Sequence, residues 1–157
     1  MRVDIYQRLL DGETAAIDDS ITLDHFQREK GRFKVLSDLG MEVGIFLERG
    51  HVIELGQVLR SNCGKNIKVL GAIENVTTAS SNDWGIFCRA CYHLGNRHVK
   101  VQLGELWLRI IADHVLEDML LKLGLSLQRE QVVFALSLKC LDFFLAYPEP
   151  VSYTHLT

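Results

Sequence analysis

The 157-residue chain has no excess of basic residues: 17 Lys and Arg stand against 20 Asp and Glu, for a formal charge of -3. A chain without a net positive field offers nucleic acid or an anionic lipid surface no general attraction, so both are disfavoured as partners. No apolar run reaches the roughly 18 residues that a membrane span requires, and the start MRVDIYQRLLDGE lacks the apolar segment of a secretory signal. A cytoplasmic location is therefore expected. Cysteine is sparse, with Cys63, Cys88, Cys91 and Cys140 only, and in a reducing compartment these stay thiols instead of forming a disulfide framework. There is no GxSxG, P-loop, HExxH or glycine-rich dinucleotide fingerprint, so enzymatic readings lack a nucleophile or a cofactor cradle. Repeats, low-complexity tracts and Ser/Pro linkers are also missing, and a domain boundary has to be read from a change of pattern.

That change falls near Gly71 to Ile73. From Ser20 to about Leu70, short apolar runs alternate with turn signals at Gly40, Gly50, Gly56 and Gly64, which reads as a small all-β domain. From Ile73 onward the order is strand, helix, strand, strand, helix, strand: IENVTTA, SNDWGIFCRACYHLG, VKVQL, LWLRII, DHVLEDMLLKLG and QREQVVF. The expected fold is thus α+β: an all-β domain over residues 1–72, a ferredoxin-like βαββαβ domain over 73–137, and an atypical tail over 138–157. The spacing predicts a first helix capped by Ser81 or Asn82 and ended by Gly95, with Trp84, Phe87, Cys88, Cys91 and Leu94 facing the sheet. For the second helix, Asp113 is the expected N-cap, Val115, Leu116, Met119, Leu120 and Leu123 the apolar face, and Gly124 the stop.

Candidate chemistry gathers at the helix ends. His93 is placed on the last turn of the first helix and His98 just beyond it, both exposed, and neutral imidazole suits nickel, copper and zinc. On spacing alone, the commoner role of such residues is to meet the last carbonyls of the helix. His114 is expected on the exposed first turn of the second helix, with Glu117 and Asp118 on its side. The pair Cys88 and Cys91 has CxxC spacing but lies mid-helix, and is assigned to packing. Arg28, Lys30, Arg32 and Lys34 recur at period two, so that an extended segment would present a basic edge, either a solvated strand face or a docking stripe for an acidic partner. His25 and His51 are assigned to the surface.

The run ACYHLGNRH (Ala90 to His98) followed by DHVLEDML (Asp113 to Leu120) resembles the signature pair of the urease accessory protein E family. Asp19-Ser20, Leu23, Gln27-Arg28, Lys30, Arg32, the run Glu42 to Leu47 with Arg49-Gly50, and Glu74 with Val76 are similar to that family's pattern in the same order, over roughly residues 17–134. The resemblance implies a nickel carrier that catalyses nothing, with an N-terminal domain for partner contact and a C-terminal domain that dimerises and holds Ni(II). It implies that His98 is the central ligand, shared by both subunits of a homodimer, with His93 and His114 as supporting ligands. The implied partners are the urease apoprotein and its accessory GTPase. Imidazole does not select nickel by itself, so Zn(II) or Cu(II) is expected to bind in vitro.

The chain departs from the family pattern where Ala112 replaces a histidine found in some members, and again after Val133-Phe134, where an apolar segment takes the place of the usual ending. The final residues Pro150 to Thr157 resemble translated adapter sequence, so the tail is expected not to be native. Two rival functions stay in view. A metal hydrolase built on His93, His98 and His114 would require a buried cleft with a general base. A pure interaction module would bind no divalent ion.

Overall fold

The computed structural model describes residues 1–9 and 15–136. The expectations placed on residues 137–157, Cys140 and the tail among them, lie outside the described residues.

In the first half, apolar and polar residues alternate with period two, and the chain forms strands that bury one face. These are β1 (Arg2–Arg8), β2 (Asp19–Leu23), β3 (Arg32–Leu36), β4 (Glu42–Phe46), β5 (Val58–Ser61) and β6 (Asn66–Gly71). They make one six-stranded sheet in the order β2-β6-β5-β1-β4-β3, with β1 parallel to β4 and β2 parallel to β6. Val3, Ile5, Ile21, Leu23, Val43, Ile45, Leu59, Ile67 and Val69 point inward from it and form a continuous core with Leu47 and Ile53. The turn after β3 reaches the opposite edge of the sheet. There the Asp38 N–H donates to the Ser20 carbonyl at 2.8 Å, and the Asp38 carboxylate accepts from the hydroxyls of Ser20 and Thr22. The sheet is thereby curled around its core and its two edge strands are tied at one end.

One short helix interrupts this all-β pattern. The segment Asp24 to Gln27 is a capping box: the Asp24 side chain accepts from the Gln27 N–H at 2.8 Å, and the Gln27 side chain accepts from the Asp24 N–H at 3.0 Å. The result is α1 (His25–Glu29). It corrects two expectations, because Arg28, inside the helix, cannot join Arg32 and Lys34 on one strand face, whereas Lys30 caps the helix in an extended conformation and stays exposed. Arg28 is buried, its guanidinium donates to the Phe134 carbonyl, and burial pulls its pKa down. His25 is 3% exposed, with Nδ1 at 2.5 Å from Glu74 Oε1 and its backbone N–H on Glu74 Oε2 at 3.2 Å. It belongs to the core of a seam and not to the surface, whereas His51 is exposed as expected.

After Ala72 the second half forms β7 (Ile73–Ser80), α2 (Trp84–Asn96), β8 (Gln102–Leu103), β9 (Trp107–Ile111), α3 (His114–Leu123) and β10 (Ser126–Val133). The four strands lie in the order β10-β7-β9-β8, every neighbouring pair antiparallel, and both helices add apolar side chains to one core. The helix face that packs is narrower than the sequence stripe. Phe87, Ala90 and Leu94 are buried, whereas Trp84 and Cys88 are exposed and Cys91 is half-buried. The N-cap of α2 is Asp83, whose carboxylate accepts from the Ile86 N–H at 3.1 Å, one or two residues past the expected caps. Asp113 caps α3 and Gly124 ends it at φ 101°, a left-handed conformation in which a side chain would be strained.

The two halves meet along α1. Besides the contacts of His25 and Arg28, Lys100 Nζ lies 2.7 Å from Glu29 Oε2 and 4.4 Å from the centroid of the Phe26 ring. No helix among the described residues is long and apolar enough to cross a membrane.

Candidate metal centre

The end of α2 sets the geometry of the candidate ligands. The helix does not stop at Gly95 but runs through it to Asn96, with Arg97 as its C-cap. The next residue, His98, has φ 54°. Its N–H donates to the Gly95 carbonyl at 3.1 Å, and the Val99 N–H donates to the Leu94 carbonyl, also at 3.1 Å. These two bonds form the paired closure that satisfies the last carbonyls of a helix around one left-handed residue, a position at which glycine is the usual occupant. Val99 also packs on the core cluster that contains Leu94.

A histidine here carries a cost. Left-handed backbone disfavours any side chain, although histidine enters it more readily than most residues. Among the described residues, His98 and Leu106 are the only residues other than glycine with positive φ. Leu106 has a packing reason, since its side chain lies against the second core. His98 is exposed, so burial supplies no compensation and the imidazole stands in solvent at the tip of the motif. Strain retained at an exposed polar residue points to a role for that side chain.

His93 is exposed on the last turn of α2 and borders a groove of about 500 Å³ that runs between the two helices. Arg97, Val115, Asp118, Met119, Lys122 and Leu123 complete its lining, so the groove joins His93 to Asp118 but includes neither His98 nor His114. His114 is exposed as the first residue of α3, after the Asp113 carboxylate that accepts from the Val115 and Leu116 N–H groups at 2.9 and 3.0 Å. Its expected acidic neighbour Glu117 turns inward. Hydrogen bonds from Arg129, then one from the buried Thr77 hydroxyl, hold the Glu117 carboxyl below the usual carboxylate range. Glu117 is therefore committed to the fold.

The three histidines are thus not brought together within one protomer. Among the described residues no group of three or more His, Cys, Asp or Glu side chains converges as an ion would require. Cys88 and Cys91 sit on the flank of α2 away from the groove, and burial followed by the neighbouring Cys88 pushes the Cys91 thiol up. Among the described residues, His93, His98 and His114 therefore stand as separate imidazoles on an open surface.

Comparison with known proteins agrees with this organisation. A family model described as "UreE urease accessory protein, N-terminal domain" matches residues 5–72, and one described as "UreE urease accessory protein, C-terminal domain" matches residues 74–138. The urease accessory protein UreE of Marinomonas sp. (strain MWYL1) is 46% identical over 153 residues, covering 98% of this chain and 96% of its own. That alignment continues past Leu136. The proteins of the same name from Alteromonas mediterranea and Psychromonas ingrahamii are 51% and 48% identical, over 75% and 83% of this chain and 77% and 85% of their own. The chain belongs to the UreE family of urease accessory proteins.

Proposed function

We propose that the protein carries Ni(II) as cargo to the urease apoprotein during urease maturation, and that two copies share the ion through their His98 side chains. The observation that carries this reading is His98 itself: an exposed imidazole held in a left-handed position that glycine would fill at lower cost. No three-ligand group forms among the described residues of one copy, and in this reading a second copy supplies the further ligand, because a two-fold axis beside His98 duplicates its ring. His93 and His114 act as supporting ligands. An ion bound this way keeps open positions through which a recipient ligand can displace it, the opposite of a closed four-ligand site. Zn(II) and Cu(II) compete for the same imidazoles.

The order β7-α2-β8-β9-α3-β10, with antiparallel strands arranged β10-β7-β9-β8, supports a ferredoxin-like reading of the metal-binding and dimerising domain. The division is placed at residues 72 and 73, and the location is the cytoplasm. The first domain meets the recipient, the urease apoprotein with its accessory GTPase, through the exposed Lys30, Arg32 and Lys34. Arg28 is excluded from that surface by its burial. Membership of an accessory family, together with exposed histidines in place of a buried cleft, supports a carrier rather than a hydrolase.

The test is nickel-dependent activation of urease apoprotein in the presence of its other accessory proteins, at limiting nickel. Wild type should accelerate activation and His98→Ala should not. Equal acceleration by both would remove His98 from transfer.

A further inference from the structure

The loop that bears His98 is tied to the other domain two residues further on. Lys100 follows the helix-closing bond at Val99 and extends from the second domain to α1 of the first, where Glu29 Oε2 lies 2.7 Å from its ammonium and the Phe26 ring centroid 4.4 Å away. Both charged side chains are mostly covered, at 29% and 21% exposure. The attraction is therefore less screened than that of a surface pair, and the aromatic face adds to it. Upstream, the same loop is fixed by the His98 and Val99 N–H bonds to α2. His98 thus lies between two anchors, one in its own domain and one in the partner-contact domain.

From this geometry we infer that Lys100, held by Glu29 and Phe26, is a positioning residue for His98, and that α1 is the element through which the first domain acts on the metal-bearing loop. The inference rests on the reading of His98 as a nickel ligand. Its consequence is a physical route for release. Across the same seam α1 is also held by the His25–Glu74 pair, the edge-to-face contact of the His25 and Phe134 rings and the Arg28 bond to the Phe134 carbonyl, so a partner that displaces α1 loosens the His98 loop while the core of the second domain stays intact. Loosening a ligand loop lowers affinity because ordering it again costs conformational entropy.

The experiment compares the full-length protein with Glu29→Gln/Lys100→Met, which removes the pair without altering net charge, and with Lys100→Arg, which keeps it. Amide hydrogen exchange of the metal-free protein at His98 and Val99 reads the loop directly, and calorimetric titration with nickel chloride at fixed pH reads the affinity. The double variant should exchange about three- to tenfold faster at these two amides and bind nickel weaker by a similar factor, with Lys100→Arg close to wild type. Unchanged exchange at His98 and Val99 would overturn the positioning role. Faster exchange with unaltered nickel affinity, in a protein whose binding His98→Ala abolishes, would leave His98 as the ligand and overturn the action of Lys100 upon it. If His98→Ala itself binds nickel normally, the ligand reading fails, and the exchange data still report whether α1 holds the loop.

Discussion

Replacing His98 by glycine should stabilise the protein and remove its cargo site in one step. The left-handed backbone at φ 54° costs a residue with a side chain about 1–2 kcal/mol relative to a residue without one. Glycine gives back about 0.4–1 kcal/mol of this through the extra freedom of the unfolded chain. The ring is exposed, so its removal forfeits little packing. The net expectation is a gain of about 0.5–1 kcal/mol for metal-free His98→Gly over wild type, and a rise in Tm of roughly 1–4 °C for a chain of this size. His98→Ala keeps the strain and should match wild type or fall slightly below it. Urea and thermal denaturation in the presence of a chelator, run on all three proteins with a parallel nickel titration, would separate these cases. Both variants should lose nickel binding while their stabilities move apart. A His98→Gly protein less stable than His98→Ala would refute the left-handed closure, and with it the argument that strain marks this residue.

Two further outcomes test the structure around the site. Glu117 has a depressed pKa in the fold, so its contribution is complete above the ordinary carboxylate range and disappears as pH falls through the folded value. Glu117→Gln should therefore cost about 1–2 kcal/mol in urea at pH 7, a figure reduced because Arg129 is largely exposed, and the gap should close as pH falls below about 4. A gap of constant size across that range would deny the ionic part of the interaction. Arg28→Met preserves the apolar stem but leaves the buried Phe134 carbonyl without its donor, and should destabilise the full-length protein by about 1–3 kcal/mol. A change within about 0.5 kcal/mol, typical of a surface site, would return Arg28 to the partner-contact surface.

The sequence patterns that proved readable were those repeated over many residues. Short apolar runs between glycine turn signals marked the β character of Ser20 to Leu70, although not β1 ahead of it, and the strand and helix order after Ile73 was visible because each element carries its own apolar face. Asp113 and Gly124 were legible as caps because each acts through a local requirement, a side-chain acceptor at one end and a left-handed backbone at the other. The errors came where a residue's environment is set by distant parts of the chain. The basic run at Arg28 looks like a strand face, yet the Asp24 to Gln27 capping box that starts α1 was present in the sequence and marks a helix. Burial of His25 and Arg28 depends on Glu74 and Phe134, far along the chain, and no local pattern announces it. On α2, Trp84 is apolar but falls outside the sector of Phe87, Ala90 and Leu94 that meets the sheet. The left-handed state of His98 was hidden by Gly95, the obvious stop signal, which turned out to lie inside the helix.

The central claim is that one nickel ion is shared by two copies through His98, and native mass spectrometry of the protein titrated with nickel addresses it most directly. Wild type should appear as a dimer that takes up one tightly held ion, while His98→Ala remains a dimer and takes up none at the same concentration. A monomer binding one ion per chain, or a variant that loads as wild type does, would contradict the shared site.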